Sequence, residues 1–571
     1  MFPSPRSTDS ARRLRSRGRV LAALLTLCAL VVVGRLVQLQ VIEAGQWRAY
    51  ASSVQERTIE VPPRRGTILD RNGTPLAFDV KATAIAVDGY NMTKPETLVA
   101  ILSEELGRSK AEVSDLVYRS SYFTWVERRV ELETGRRIEE RARDAGAYGL
   151  IFFDTWKRCY PEGRLASNVI GFVGTDGAGL EGIELQFDET LRGTPSIVRV
   201  VEGADGRTYK TETIEEGAAG ADVILTLDAD LQFICQEEIE AGVSRFRANG
   251  GMIVVVDPDS GEVLAMAQDK GYDLNAFASS TAEERKNGAV TTLFEPGSLF
   301  KVFTGLAALE AETVRPTDTF DGRDGIEISG HVMHNADHET YGTVTFAEII
   351  QDSINTGMIR VALLLGEDRL HDALALYGFG EPTGIELPGE EAGILRPAAV
   401  WSKLDLAAAS IGQSVAVTAI QLARALAAVA SDGLLPDVHI VVEAGETKRV
   451  SVASPETAAT MRELMELVVE SGTGTLAAID DFSVAGKTGT AQKATAGRGY
   501  VGEKYTSLFA GLLPADDPEY VILVALDEVS SGPVSGGYTA GQIFQAAATR
   551  MIHAERLAPS GDTLTAQRST P

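Results

Sequence analysis

Three short runs carry residues that can perform acyl transfer, and they come in one order. The first is Ser298-Leu299-Phe300-Lys301, preceded by Glu295-Pro296-Gly297. A serine hydroxyl is a weak nucleophile at neutral pH and needs a base beside it. A lysine withdrawn from water and near other cations loses its proton and can be that base. Pro-Gly breaks the chain, and Val302, Phe303, Leu306 and Leu309 then form an apolar helix. Ser298 is therefore expected in the first turn, with Lys301 one turn up on the same face. Taken alone, a helix cap followed by a surface lysine gives the same pattern.

The second run is Ser353-Ile354-Asn355, between helical stretches. From a loop its polar pair can point into a cleft: Ser353 can relay a proton, and Asn355 can bond a substrate amide and the lysine. The third is Lys487-Thr488-Gly489-Thr490, in a segment whose alternation predicts a strand. Gly489 lets another chain approach the backbone closely. Lys487 and the threonines suit a substrate carboxylate. The backbone N–H of Thr490, with that of Ser298, can form an oxyanion hole. A polar helix junction and a solvated strand lysine are the bland alternatives for these two runs.

Elements that can position such groups are legible on both sides. Residues 251–257 and 263–267 flank Pro258-Asp259-Ser260-Gly261 as a β-hairpin, and apolar strands at 507–513 and 520–526 are joined through 514–518. Helical stretches lie between them, at 301–311, 344–365, 403–431 and 454–470. Strands at both ends with helices between predict one large α+β domain on an antiparallel sheet. Upstream, Asn72-Gly73 marks a hairpin turn. Residues 95–145 are helical in period from Lys94-Pro95-Glu96, and 146–215 alternate short apolar runs with glycines. Residues 60–215 thus read as an α+β module without chemistry of its own.

The chain has 571 residues, 44% of them apolar and 23% charged, which excludes disorder or a fibrous repeat for most of its length. The net charge of −27 excludes a broad electrostatic grip on nucleic acid. Cys28, Cys159 and Cys235 form neither a disulfide framework nor a zinc knuckle. The charge is uneven: residues 1–19 hold six arginines against one aspartate, a net +5, so the remainder carries −32. An uncharged run, Val20–Val33, follows, and apolar character continues to Val41 past Arg35, whose stem can snorkel. No small-residue cleavage site follows, and Leu27 before Cys28 does not suit a lipoprotein site. An uncleaved signal anchor is expected, with the arginines in the cytoplasm.

The order and spacing of the three runs, 55 and 189 residues from the serine, resemble those of the serine acyl-transferases that react with penicillin. Nearly the whole chain resembles a class B penicillin-binding protein, a peptidoglycan D,D-transpeptidase. Arg65-Gly66-Thr67-Ile68-Leu69-Asp70-Arg71-Asn72-Gly73 resembles the entry motif of the family's pedestal. Tyr160-Pro161, Ile170–Gly174 and Gly179-Leu180-Glu181-Gly182-Ile183-Glu184 resemble later pedestal motifs, and Ser410–Thr418 the segment beside the site. Phe294–Ser298 and Ala485–Gln492 resemble the septal, FtsI-type branch; Asn168 and Gly288 depart from its usual histidine and arginine. The resemblance implies a cytoplasmic tail (1–19), a transmembrane anchor (20–41), an elongated pedestal or dimerisation domain (42–215), a penicillin-binding transpeptidase fold (216–555) and a disordered tail (556–571). The chain would sit in the inner, cytoplasmic membrane with its catalytic domain outside.

The resemblance further implies a cofactor-free, metal-free mechanism. A stem peptide ending in D-Ala-D-Ala binds with its carboxylate near Lys487, Thr488 and Thr490. Ser298 attacks with Lys301 as base, D-Ala leaves with a proton returned by Ser353 and Lys301, and a neighbouring amine forms the crosslink. Implied partners are stem peptides on lipid-linked precursor strands, β-lactams, the membrane, a separate glycosyltransferase and division proteins. His331, His334, His338, Asp337 and Glu339 form a polar loop rather than a metal site, lacking helical spacing. No E-x-x-L-N loop follows Ser298, as a class A β-lactamase would need. An elongation-type or other non-septal transpeptidase, a membrane-bound β-lactam sensor, a D,D-carboxypeptidase and a scaffold with a dead site are the alternatives. On the charge pattern, a reporter fused after residue 60 should be active only outside the cytoplasm. Activity confined to the cytoplasm would rule out the signal anchor.

Overall fold

The structure is a computed structural model describing residues 8–47, 50, 56–119, 123–202, 208–442, 447–493 and 504–557. Most of the tail expected to be disordered, and residues 1–7, lie outside the described residues. The helix Thr8–Val37 continues through a wider turn to Ile42, and Leu14–Ile42 is long and apolar enough to cross a membrane. Two compact units are built from interleaved segments: one from 1–63, 81–156 and 194–218, the other from 64–80, 157–193 and 219–571.

The larger unit is organised by a five-stranded antiparallel sheet. Its order is Val263–Gln268, Gly250–Val256, Tyr520–Asp527, Tyr505–Leu513, Ala485–Gln492. Both expected hairpins are present in it. Side chains alternate between faces, and here both faces are buried. Ile253, Val255, Phe509, Ile522 and Val524 pack with the helices Ala229–Phe246 and Ala540–Glu555. Val254, Val256, Leu508, Ala510, Val521 and Leu523 belong to the other core, shared with the helix Lys301–Glu310 and its neighbours. Two covered faces explain why these strands read as unbroken apolar runs. The stretch 485–492 is the edge strand, paired on one side only within this sheet.

Two expected helical stretches are each interrupted, the first at the run expected to lie in a loop. Residues 344–365 divide into Phe346–Gln351 and Asn355–Leu365, with Ser353 at φ 58° between them. Residues 403–431 divide into Lys403–Ser410 and Ala419–Ala430, and Thr418 caps the second through Gln421. In the smaller unit, the expected helical stretch 95–145 contains helices Pro95–Leu106, Lys110–Arg119 and Leu132–Asp144, but also a strand, Phe123–Glu131. Val126 and Val130 bury one side of that strand, which pairs with the second half of Pro75–Asp88. Long-range pairing here overrides local period.

Three of the pedestal motifs meet inside the larger unit. Glu184, fully buried, accepts hydrogen bonds from Arg65 Nε at 2.6 Å, Arg158 Nε at 2.7 Å and the Tyr160 hydroxyl at 3.2 Å. Arg65 also bonds Asp188 at 2.7 Å, and Arg158 reaches Asp79 at 3.3 Å and the Gly66 carbonyl at 2.7 Å. Burial and the adjacent Glu184 carboxylate push the Tyr160 phenol well above its ordinary range. Nearby, the turn at Asn72-Gly73 closes the hairpin of Ile68–Leu69 with Pro75–Ala77. Asn72 Nδ2 donates to Asp228, the cap of helix Ala229–Phe246. Removing one partner of a buried ion cluster strands the others, at about 3–5 kcal/mol. Glu184→Ala should lower stability by about that amount in denaturant titration of the chain; a loss within experimental error would mean the two arginines are compensated elsewhere.

Candidate active site

The first motif sits where chain turns into helix. Gly297–Phe300 forms a tight turn with Gly297 at φ 55°, and the helix Lys301–Glu310 continues from it. The segment 410–418 braces this turn. Gly297 N donates to the Gly412 carbonyl at 3.0 Å, Ser414 N donates to Glu295 Oε1 at 2.9 Å, and Phe294 and Val417 exchange backbone bonds. Packing is close enough that a Cβ on Gly412 would lie 2.1 Å from the Gly297 carbonyl oxygen. On the other side stands the edge strand; a Cβ on Gly489 would come within 3.0 Å of the Pro296 oxygen. This is the close approach expected of that glycine.

Lys301 and Lys487 are both fully buried and converge on Ser353. Lys301 Nζ donates to the Ser353 carbonyl at 2.5 Å and lies 3.2 Å from its hydroxyl; Lys487 Nζ donates to the same hydroxyl at 2.9 Å. Lys487 also meets the Thr488 carbonyl at 3.2 Å, and Thr488 Oγ1 is 2.8 Å from Thr473 Oγ1. Thr490 Oγ1 accepts from Gly536 N at 3.0 Å. Neither Thr473 nor Gly536 is in a motif, so spacing could not have found them. Asn355 Nδ2 donates to the His334 carbonyl at 2.8 Å. The expected Asn355–lysine bond is not among these contacts; the lysine is held by Ser353. In the polar loop, His334 and His338 come together with Asp324, a residue the sequence argument did not include.

The three motifs are therefore brought together: a serine turn at a helix start packs against an edge strand that is buried from Ala485 to Gly489, and two buried lysines meet on Ser353. Residues 251–549 match the penicillin binding protein transpeptidase domain, and residues 60–225 match the penicillin-binding protein dimerisation domain. A "Probable peptidoglycan D,D-transpeptidase PbpC" of Pseudomonas aeruginosa is 32% identical over 540 residues, covering 94% of each chain. The chain belongs to the class B penicillin-binding proteins. As a member it is a peptidoglycan D,D-transpeptidase with an N-terminal apolar helix that fits a membrane anchor. The "Peptidoglycan D,D-transpeptidase FtsI" of Escherichia coli is 28% identical, over 98% of this chain and 95% of that one. The fold matches a crystal structure of penicillin binding protein 3 from Mycobacterium tuberculosis, complexed with aztreonam. That match has a TM-score of 0.69 at 27% identity and covers 88% of this chain and 98% of the other.

In a transpeptidase of this kind the electrostatics of the lysine pair decide which group can take a proton. Burial drives Lys301 well below the ordinary lysine value, and the neighbouring Lys487 lowers it further. Burial alone brings Lys487 down to about 7. The two share one hydroxyl, so they titrate as a pair. A neutral lysine is the basic form, and its fraction grows as pH rises. Penicillin acylation should therefore fall on acidification through the apparent pKa of the pair. Lys487→Met removes a positive charge that lowers Lys301, so the acid limb of the pH–acylation profile should move to higher pH. An acid limb that stays in place or moves down would separate the proton on Lys301 from Lys487.

Proposed function

We propose that Ser298 is the acylated nucleophile, Lys301 its base, and that the chain crosslinks stem peptides during septal synthesis. The observation that carries the chemistry is the pair of buried lysines bonded to the Ser353 hydroxyl beside the serine turn. Neutral Lys301 takes the Ser298 proton as Oγ attacks the penultimate D-Ala carbonyl. The backbone N–H groups of Ser298 and Thr490 receive the oxyanion. Collapse breaks the peptide bond, and the proton returns from Lys301 through Ser353 to the leaving D-Ala amine. An amine of a neighbouring peptide then attacks the ester and gives up its proton along the same route. Ser298 is freed and the crosslink is made. Acyl energy is conserved in the ester, so the exchange needs no ATP.

Lys487, with Thr488 and Thr490, faces the terminal carboxylate of the donor, and Asn355 its amide. The edge strand has a strand partner on one side only, and an extended peptide added alongside it is the recognition mode that suits such an edge. The septal assignment rests on similarity to the division protein FtsI and on the sequence around Ser298 and Lys487. With it come a cytoplasmic N-terminus, an extracytoplasmic catalytic unit, a separate membrane glycosyltransferase and division proteins as partners. Among non-septal alternatives no observation favours one. Ser298→Ala should abolish covalent labelling by a fluorescent penicillin while thermal unfolding changes little, since loss of a hydroxyl at a helix start costs only about 0.5–2 kcal/mol. Full labelling of that variant would assign the acyl group to another residue.

A further inference from the structure

Asp324, His334 and His338 form a cluster that acyl transfer does not use. Asp324 precedes the small hairpin of Ile326–Ile328 with His331–Met333, and the two histidines follow it. His334 Nδ1 is 2.9 Å from Asp324 Oδ2, His338 Nδ1 is 3.1 Å from the same oxygen, and the two nitrogens are 3.1 Å apart. Hydrogen counting leaves one side of this triangle without a proton. Each Nδ1 carries at most one hydrogen, so three contacts share at most two, and none can point along two contacts at once.

A metal ion resolves the triangle, because three lone pairs then converge on one centre. With ligand bonds of about 2.0–2.1 Å, the donor atoms of a tetrahedral zinc site lie about 3.3 Å apart. The observed separations fall a few tenths short of that. Two imidazoles and a carboxylate suit zinc better than magnesium or calcium, which take oxygen ligands. The side chains of His334 and His338 are 43% and 71% exposed, which leaves the fourth position open to water and gives the ion a path in.

The cluster is held by a partner that also reaches the helix following the second motif. Asn335 N donates to Asp324 Oδ1 at 2.8 Å, which orients the carboxylate. The buried Asn335 side chain donates to the Gly322 and Glu339 carbonyls and accepts from Thr356 N at 3.0 Å, at the start of the helix that carries Asn355. Asn355 in turn leans on the His334 carbonyl. We propose that Asp324, His334 and His338 bind one zinc ion, with water as fourth ligand, and that the ion fixes the loop on which Asn355 rests. Asn355 is thereby held in place through the His334 carbonyl; this second half rests on its assigned role, whereas zinc binding does not.

The test uses the untagged full chain in detergent, equilibrated with zinc and then freed of excess. Metal analysis should find about one zinc per chain, and Co²⁺ should give the visible absorption of a tetrahedral site. His338→Ala and Asp324→Asn each remove or neutralise a ligand and should weaken zinc binding by more than the roughly 10–100-fold that loss of an outer-shell partner costs. A wild type that retains no zinc, or variants that retain it equally, would overturn the site. Penicillin acylation should slow several-fold when a chelator strips the wild type and recover with zinc, while His338→Ala is slow with or without it. Zinc binding with an unchanged acylation rate would overturn the positioning role alone. A zinc-loaded wild type that never labels would instead overturn the acylation reading and leave the metal site standing.

Discussion

Two lysine side chains, both withdrawn from water, share the hydroxyl of Ser353. That arrangement sets the requirements for everything around it. An ammonium group can be buried only if it is hydrogen-bonded or neutral. The cleft supplies both: carbonyl and hydroxyl acceptors from Ser353 and Thr488, and a second cation that makes loss of a proton easier. The three segments that contribute to it are far apart in the chain: Ser353 lies 52 residues after Lys301 and 134 before Lys487. They are brought together by a helix, a break between helices and an edge strand, none of which is able to place the groups alone.

The sheet explains why the placement holds. Its central strands are buried on both faces, so their register is fixed by apolar packing on either side. The last strand inherits that register through pairs such as Lys487 with Ala510 and Thr490 with Ser507. Its other edge has no strand partner in this sheet and meets the serine turn. Glycine at 297, 412 and 489 then allows the turn, its brace and the strand to approach within distances that a side chain would forbid.

Much of this was legible in the sequence. Both hairpins of the sheet, the turn at Asn72-Gly73 and the strand character of 485–492 follow from apolar runs and turn residues. What the sequence hid are features decided by distant partners. Ser353-Ile354-Asn355 reads as a loop between helical stretches and is one, but nothing local announces that the serine is left-handed. Phe123–Glu131 sits among helical periods and becomes a strand through its pairing with Pro75–Asp88. The pedestal motifs are visible as strings, but their shared purpose appears only when Arg65 and Tyr160 meet Glu184. Asp324 stands ten residues before His334 and has no motif to mark it.

The depressed Lys487 has a thermodynamic consequence for the fold itself. In the unfolded chain its ammonium would titrate near 10.5, whereas in the folded chain it does so at about 7. Between those values the unfolded state holds more protons than the folded one, so folding releases protons and stability rises with pH across that window. Below about pH 7 the full penalty of burying the charge is present. The larger unit is thus less stable at neutral pH than its sheet and helices alone would make it, and the deficit is concentrated at the residues that do the chemistry. The doubly covered sheet is what allows the chain to tolerate it.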